Sequence, residues 1–139
     1  MNTLEDCRLI DLAKHKAGRR GNLTAVQGSL DIPFDISRVY YIYDVPGGES
    51  RGSHAHRELY QLLVAVSGSF DVLLDDGVNK KSVCLSKPTQ ALLLPPEIWH
   101  QLDDFSSGAV ALSLTSAPYA EQDYIRDYDE FIKFRERNL

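Results

Sequence analysis

The sequence is poor in the residues that build disulfide frameworks and membrane spans. Its two cysteines, Cys7 and Cys84, stand far apart without C-x-x-C spacing, so no disulfide framework is expected. No apolar run approaches the ~20 residues of a membrane span, and the N-terminus lacks the charged-then-apolar pattern of a signal peptide. These absences predict a cytoplasmic protein with no membrane partner.

Positive charge is also scarce. The 15 Lys and Arg residues are outnumbered by 20 Asp and Glu residues, which gives a net charge of −5 and a pI near 5.3. An acidic chain is not expected to bind nucleic acid non-specifically, although local basic groups can still bind an anionic ligand. The composition, 43% hydrophobic and 25% charged residues, is typical of a globular protein, and we expect residues 1–139 to form a single domain.

Short runs rich in β-branched and aromatic residues recur along the chain between turn signals. Strands are predicted at 23–26, 38–43, 70–74, 80–85, 91–94, 99–102 and 109–113. Many short strands with regular turns predict an all-β barrel or sandwich. Alternation within 38–43 puts Tyr41 and Tyr43 on the same face of the strand, and we expect both to pack in the core.

The character of the sequence changes after Pro118. The apolar residues beyond Tyr119 recur at intervals of three and four, with charged residues between them. They are Tyr124, Ile125, Tyr128, Phe131 and Ile132. This period predicts an amphipathic helix that packs on the barrel or on a second subunit.

Two histidines, two residues apart, precede a strongly apolar part of the chain. Gly48, His54, His56, Gln61 and Gly68 follow the pattern G-x5-H-x-H-x4-Q-x6-G. Residues i and i+2 of a strand share a face, so both imidazoles are expected to project into one space. The spacing resembles the first cupin motif, in which a metal-binding Glu usually stands at the position of Gln61.

A third histidine follows some tens of residues later. The run P-P-E-I-W-H, from Pro95 to His100, resembles the second cupin motif, with Glu97 in place of the usual Gly and Asp104 where Asn is frequent. Together the two half-motifs imply a cupin, which is an all-β, jelly-roll β-helix barrel. Here it would carry a short C-terminal helical segment.

The three histidines support two kinds of chemistry. They could hold a metal, since three histidines suffice for some catalytic zinc sites. The fourth position, however, carries Gln61 or Tyr60 rather than a carboxylate, and Glu58 would have to compensate. Alternatively, imidazole has an unperturbed pKa near 6.5 and can take and return a proton next to a carbonyl group. We favour this second interpretation, with no metal and no cofactor.

Four longer runs resemble the dTDP-4-keto-6-deoxyglucose 3,4-ketoisomerases, small cupins related to the WxcM-like group. They are I-P-F-D-I-S-R-V-Y-Y-I-Y-D from Ile32, R-G-S-H-A-H-R from Arg51, L-L-L-P-P-E-I-W-H-Q-L-D-D-F from Leu92 and A-P-Y-A-E-Q-D-Y-I-R-D-Y from Ala117. The resemblance covers nearly the whole chain. It implies a metal-free homodimer that acts on a dTDP-linked 4-keto-6-deoxy sugar, in pathways to 3-amino-3,6-dideoxy sugars of surface polysaccharides such as lipopolysaccharide O-antigen.

The resemblance also implies catalytic roles. His54 is the expected base that removes the proton from C3, next to the C4 ketone. The resulting enediol must move a proton between its two oxygens and receive one at C4. His56 is the expected carrier between the oxygens, and Tyr40 is expected to assist it or to hold the sugar.

Four further residues are expected to contact the substrate. Arg20 and Arg51 are candidate anchors for the diphosphate or the sugar, and His100 and Gln61 occupy cavity positions of the two motifs. Arg20 together with His100 resembles the version of the enzyme that forms the galacto product, whereas Tyr and Arg would resemble the gluco-forming version. Imidazole at position 100 could donate a proton at neutral pH, whereas guanidinium could only orient the sugar.

Three alternatives stay open at this point. They are a metal-dependent cupin enzyme, a dTDP-sugar 3,5-epimerase, and a sugar-binding cupin without catalytic activity. Metal content separates the first from the favoured interpretation, and hydrogen exchange at C5 separates the second. The clustering of histidines argues against the third, because a protein that only binds has little need for paired proton carriers.

Overall fold

The structure is a computed structural model, and it describes residues 1–138. The strands are β1 (Arg8–Asp11), β2 (His15–Lys16), β3 (Asn22–Leu23), β4 (Arg38–Ile42), β5 (Arg51–His56), β6 (Gln61–Ser67), β7 (Phe70–Asp75), β8 (Lys80–Leu85), β9 (Gln90–Leu94), β10 (Trp99–Asp103), β11 (Val110–Thr115) and β12 (Tyr124–Ile125). One α-helix, α1, spans Tyr128–Arg137, and short 3-10 turns lie at Leu4–Asp6, Gly18–Arg20 and Glu121–Asp123. Within this described range, no helix has the length and apolar character needed to cross a bilayer.

Ten strands form two five-stranded antiparallel sheets. The first has the order β1-β9-β6-β11-β4, and the second has the order β12-β5-β10-β7-β8. The main cluster of buried apolar side chains takes Leu63 and Leu92 from the first sheet and Phe70, Leu74 and Leu102 from the second. The core therefore lies between the two sheets. The predicted all-β barrel with a short C-terminal helix is confirmed.

Strand β6 is buried on both of its faces. Leu63 belongs to the main core, whereas Leu62 and Val64 belong to a second apolar cluster on the opposite face of the sheet. Ile32 and Phe34, from the segment before β4, join this second cluster. Burial on both faces explains why β6 is a continuous apolar run rather than an alternating one.

Strand β4 has the predicted alternation but with its faces exchanged. Tyr41 and Tyr43 are 61% and 60% exposed, so the prediction that they pack in the core is wrong. Tyr40 is half-buried, and it lies opposite the buried Ser113 of β11. Because tyrosines stand on both faces of this strand, the sequence alone could not indicate which face is inside.

The predicted C-terminal helix begins later than the spacing of the apolar residues suggested. Tyr124 and Ile125 form β12, which pairs with β5 of the barrel. The helix begins after Asp127, whose carboxylate accepts a hydrogen bond from the backbone N–H of Glu130. This capping interaction sets the boundary, and Phe131 of α1 then packs with Ile125 in a small buried cluster.

Strands β2 and β3 form a separate hairpin. Among the described residues these two strands pair only with each other, and every residue from 13 to 23 is exposed. A strand was predicted at 23–26, but β3 ends at Leu23. Leu23 pairs with His15, which is the first residue of β2. The turn of this hairpin contains Arg20.

Candidate active site

Three buried histidines meet on the inner face of the second sheet. His54 and His56 lie on β5, and His100 lies on β10 directly opposite His54. The ring centroid of His54 is 4.9 Å from that of His56 and 4.6 Å from that of His100. One ring nitrogen from each histidine lies within 4.8 Å of the others. The structure therefore brings together the three histidines that the two motifs predicted to share a cavity.

Burial favours the neutral form of two of these imidazoles. Burial, with repulsion from the other two histidines, lowers the pKa of His54 to about 2, and burial lowers the pKa of His100 to about 3. Nδ1 of His100 is 3.2 Å from the carbonyl oxygen of Ile98, so Nδ1 carries the hydrogen and Nε2 is an acceptor. Nε2 of His54 is buried without a hydrogen-bond partner in the described part of the chain.

His56 differs because an acidic side chain contacts it. Nδ1 of His56 is 3.0 Å from Oδ2 of Asp123, and Oδ1 of Asp123 accepts a hydrogen bond of 2.8 Å from the backbone N–H of Glu58. Burial lowers the pKa of His56, and the charge and hydrogen bond of Asp123 oppose that effect. Sequence reasoning missed Asp123. Only the pairing of β12 with β5 brings it to the histidine.

Gln61 and Tyr40 form a hydrogen-bonded group on the opposite wall. Nε2 of the buried Gln61 donates to the hydroxyl oxygen of Tyr40 (2.8 Å) and to that of Ser113 (2.7 Å). Burial raises the pKa of Tyr40 above its usual value, so its hydroxyl keeps its hydrogen. Oε1 of Gln61 has no partner among the described residues. The wall thus presents a hydroxyl donor, and the amide oxygen of Gln61 is buried behind it.

Three guanidinium groups line the same space. We call it the histidine cavity: it has a volume of about 310 Å³ and includes His54, His100, Gln61 and Tyr40 in its lining. The guanidinium groups belong to Arg38, Arg51 and Arg126. Cationic side chains around a neutral interior suit an anionic ligand that carries a polar, uncharged group.

Two of these arginines are held by aromatic rings. The guanidinium carbon of Arg38 lies 4.7 Å from the centre of the Tyr40 ring, and that of Arg126 lies 4.2 Å from the centre of the Tyr124 ring. Arg126 also donates two hydrogen bonds, of 2.7 and 2.9 Å, to the carboxylate of Glu121. Sequence reasoning missed Arg38, Tyr124 and Arg126, although Arg126 lies in the D-Y-I-R-D-Y run that carried the resemblance.

Two other predicted residues lie elsewhere. Arg20 is exposed in the turn of the β2–β3 hairpin and does not line the histidine cavity of its own chain. The side chain of Glu58 is exposed and outside the histidine cluster, so the idea that it compensates for a missing metal-binding carboxylate is wrong. Its backbone, rather than its carboxylate, faces the site, because the N–H of Glu58 binds Asp123.

Two antiparallel sheets packed around a core, with a histidine-lined cavity on the inner face of one sheet, are the architecture that the two cupin motifs predict. A sequence model described as "FdtA: WxcM-like, C-terminal" matches residues 5–136. The chain belongs to this family. The resemblance found in the sequence and the prediction of an isomerase are thereby confirmed.

Named relatives fall in the same family. The chain is 48% identical over 115 residues to the TDP-4-oxo-6-deoxy-alpha-D-glucose-3,4-oxoisomerase of Aneurinibacillus thermoaerophilus, over 83% of each protein. Its structure matches that of the QdtA 3,4-ketoisomerase from Thermoanaerobacterium thermosaccharolyticum in complex with TDP at a TM-score of 0.94, with 38% identity over 99% of each chain. It also matches the WlaRB TDP-quinovose 3,4-ketoisomerase from Campylobacter jejuni at a TM-score of 0.88, with 40% identity over 93% of this chain and 98% of that one.

Two variants of QdtA match equally well in structure, each at a TM-score of 0.94. One is a double variant in complex with TDP, in which a tyrosine is replaced by arginine and an arginine by histidine, and it is 39% identical to this chain. The other has a histidine replaced by asparagine, is bound to TDP-4-keto-6-deoxyglucose, and is 37% identical. Both cover 99% of each chain.

Proposed function

We propose that this chain is a TDP-sugar 3,4-ketoisomerase that converts dTDP-4-keto-6-deoxyglucose to dTDP-3-keto-6-deoxygalactose. The observation that carries the proposal is the cavity itself, which two histidines of the buried cluster and three arginines line in a member of this family. The 48% identity to a named 3,4-oxoisomerase supports the reaction type. We further propose that the enzyme acts in the cytoplasm, on the route to 3-amino-3,6-dideoxy sugars of surface polysaccharide, as the family resemblance implies.

In the proposed mechanism His54 begins the reaction. Its neutral imidazole takes the proton from C3, and the C–H electrons form a C3=C4 double bond while the C4 carbonyl oxygen accepts a proton. The pKa of His54 is low before the reaction begins. It rises as negative charge develops on the sugar, because an adjacent anion stabilises the imidazolium. The reaction is completed when O3 loses its proton, C3 becomes the carbonyl, and C4 is protonated.

His56 and Tyr40 are proposed to carry the proton between O4 and O3. Tyr40 lines the histidine cavity, and the ring of His56 packs against that of His54. The Tyr40 hydroxyl accepts a hydrogen bond from Gln61, which leaves its own hydrogen free to donate. This arrangement needs no redox cofactor, because the hydrogens gained and lost by the sugar balance.

The arginines are proposed to bind the diphosphate. Arg51, which was predicted to anchor the diphosphate or the sugar, lines the cavity, and Arg38 and Arg126 line it as well. Guanidinium groups bind phosphate oxygens through paired N–H donors, which suits a nucleotide diphosphate. Glu121 holds Arg126 through two of these donors, so the diphosphate would compete with Glu121 for that guanidinium group.

A metal is not part of the proposed chemistry. The three imidazoles are close enough to hold one, and such an ion would supply Lewis-acid polarisation of the sugar oxygens. Cupin metal sites usually add a carboxylate, however, and Gln61 offers a neutral amide in its place. Asp123 is already engaged by His56 and Glu58. Proton transfer by neutral histidines needs no ion.

Chelation is therefore expected to leave turnover unchanged. Enzyme treated with EDTA or phenanthroline and passed through a desalting column should convert the sugar at the rate of untreated enzyme. The measurement is product formation by NMR or chromatography, beside the metal content of both samples. Loss of activity that one added metal restores would instead favour the metal-dependent cupin.

We also propose a homodimer in which the β2–β3 hairpin reaches the partner's cavity. The hairpin is exposed along its length, Leu23 is 60% exposed, and Arg20 does not line the cavity of its own chain. An isolated two-stranded hairpin is only marginally stable in water, so packing against a second copy would stabilise it. Arg20 would then act on the sugar bound by the other subunit.

The galacto outcome is supported by Arg20 and His100. The double variant of QdtA gains arginine and histidine. This chain has residues of the same two types at Arg20 and His100. The observation that favours the gluco alternative is the 40% identity to the TDP-quinovose enzyme.

The test is the reaction of the purified enzyme with dTDP-4-keto-6-deoxyglucose in deuterated water, followed by NMR of the product. We expect the carbonyl to move from C4 to C3 and C5 to keep its hydrogen. Deuterium at C3 and C5 with the carbonyl still at C4 would show a 3,5-epimerase. Tight binding without turnover or exchange would show a protein that only binds the sugar.

A further inference from the structure

The environment of His56 assigns a role to a residue that the motifs did not single out. Asp123 ends the 3-10 turn Glu121–Asp123, immediately before β12. Its backbone carbonyl accepts a hydrogen bond of 2.9 Å from the N–H of Arg57, and its Oδ1 accepts one of 2.8 Å from the N–H of Glu58. Asp123 is thus attached to the chain directly after His56 by both its backbone and its side chain.

We propose that Asp123 is a positioning residue that holds His56 in the tautomer with hydrogen on Nδ1, so that Nε2 of His56 exchanges the proton with the sugar. The proposal rests on the proposed function, because it names the atom that would shuttle the proton. Nδ1 of His56 is 3.0 Å from Oδ2 of Asp123, and a carboxylate oxygen can only accept. The hydrogen therefore lies on Nδ1, and Nε2 is left as an acceptor.

The Asp123 side chain makes two contacts, and both need an acceptor, so only a carboxylate satisfies them. One oxygen accepts from His56 and the other accepts from the N–H of Glu58. Asparagine has one acceptor and one donor at these positions, so it cannot satisfy both contacts. If its oxygen stays on the Glu58 N–H, its NH₂ faces Nδ1 of His56 and favours the other tautomer, with hydrogen on Nε2.

Asp123 also makes His56 better able to hold a proton than the other two histidines are. His54 and His100 face it from β5 and β10, Tyr124 faces it from β12 at 4.4 Å between ring centroids, and the charges of Arg126 and Arg38 act on it from the cavity lining. The arginines and burial lower the pKa of His56, while Asp123 raises it. A proton carrier must hold its proton for part of the cycle, and Asp123 supplies the opposing charge that allows this.

The experiment compares the wild-type enzyme with Asp123→Asn. We expect kcat to fall by about 10-fold or more, and at most by the ~10⁴-fold that a wrong histidine tautomer costs in a serine protease, with KM nearly unchanged. The acidic limb of the kcat/KM profile should move to lower pH, because loss of Asp123 lowers the pKa of His56 further. In ¹⁵N NMR spectra, His56 should carry hydrogen on Nδ1 in the wild type and on Nε2 in the variant.

Asp129→Asn is the matched control. It removes an exposed carboxylate from the first turn of α1, and it should leave kcat, the pH profile and the His56 spectrum as they are. The proposal is overturned if wild-type His56 carries its hydrogen on Nε2, a result that needs neither a folded variant nor an active enzyme. It is also overturned if a folded Asp123→Asn variant keeps the wild-type kcat and pH profile. Failure of the ketoisomerase proposal would instead appear as wild-type enzyme with Nδ1–H on His56 and no turnover.

Discussion

Replacing His54 with asparagine is expected to lower kcat by about 10²–10⁴-fold, the usual cost of removing a general base. His54 is the middle ring of the cluster, with His56 and His100 on either side at 4.9 and 4.6 Å. Its Nε2 is buried without a hydrogen-bond partner within the described chain, and its low pKa keeps the imidazole neutral, the form that can accept the proton from C3. Asparagine fills similar space, but its amide is not a base.

The measurement is steady-state turnover of dTDP-4-keto-6-deoxyglucose, with calorimetric titration of dTDP to follow binding. The affinity for dTDP should change little, because Arg38, Arg51 and Arg126 are untouched. Ser53→Ala is a suitable control, since Ser53 precedes His54 on β5 and its hydroxyl binds Gln101 at the exposed surface. A His54→Asn variant that keeps about half of the wild-type turnover or more would contradict the assignment of His54 as the base.

Exchanging both His100→Arg and Arg20→Tyr is expected to change the product from the galacto to the gluco configuration at C4. A planar enediol can be protonated from either side, so the product depends on how the sugar is tilted against the proton donor. The structure corrects the expectation that His100 donates a proton to the sugar. Nδ1 of His100 faces the carbonyl of Ile98 and its pKa is about 3, so neutral His100 offers Nε2 as an acceptor rather than a donor. Arginine can only donate, and it would reverse the direction of a hydrogen bond to the sugar.

NMR coupling constants at C4 distinguish the two products. Each single variant should give a mixture with less gluco product than the double variant, because both residues are proposed to contact the same sugar ring. The wild-type enzyme is the reference and should give mainly the galacto product. If the wild type gives the gluco sugar, or if the double variant leaves the product unchanged, the face of protonation is selected by other residues.

The local patterns were sufficient for much of the fold and for the centre of the site. The H-x-H spacing places His54 and His56 on one face of a strand because side chains alternate along every strand. The second motif correctly added His100. The same rule could not choose between the faces of β4, where tyrosines stand on both sides and Tyr41 and Tyr43 proved to be exposed. The helical period after Tyr119 likewise could not reveal that Tyr124 and Ile125 pair with β5.

The all-β class, the histidine pair, the third histidine and the family could be predicted before folding was considered, because these depend on residue type and on spacing within short segments. The groups that surround those histidines are brought there by the fold. Asp123 reaches His56 across 67 residues of sequence, and Arg38 and Arg126 meet around one cavity because β4 and β12 lie in facing sheets. Long-range pairing of strands depends on burial summed over the whole barrel, and no local pattern records it.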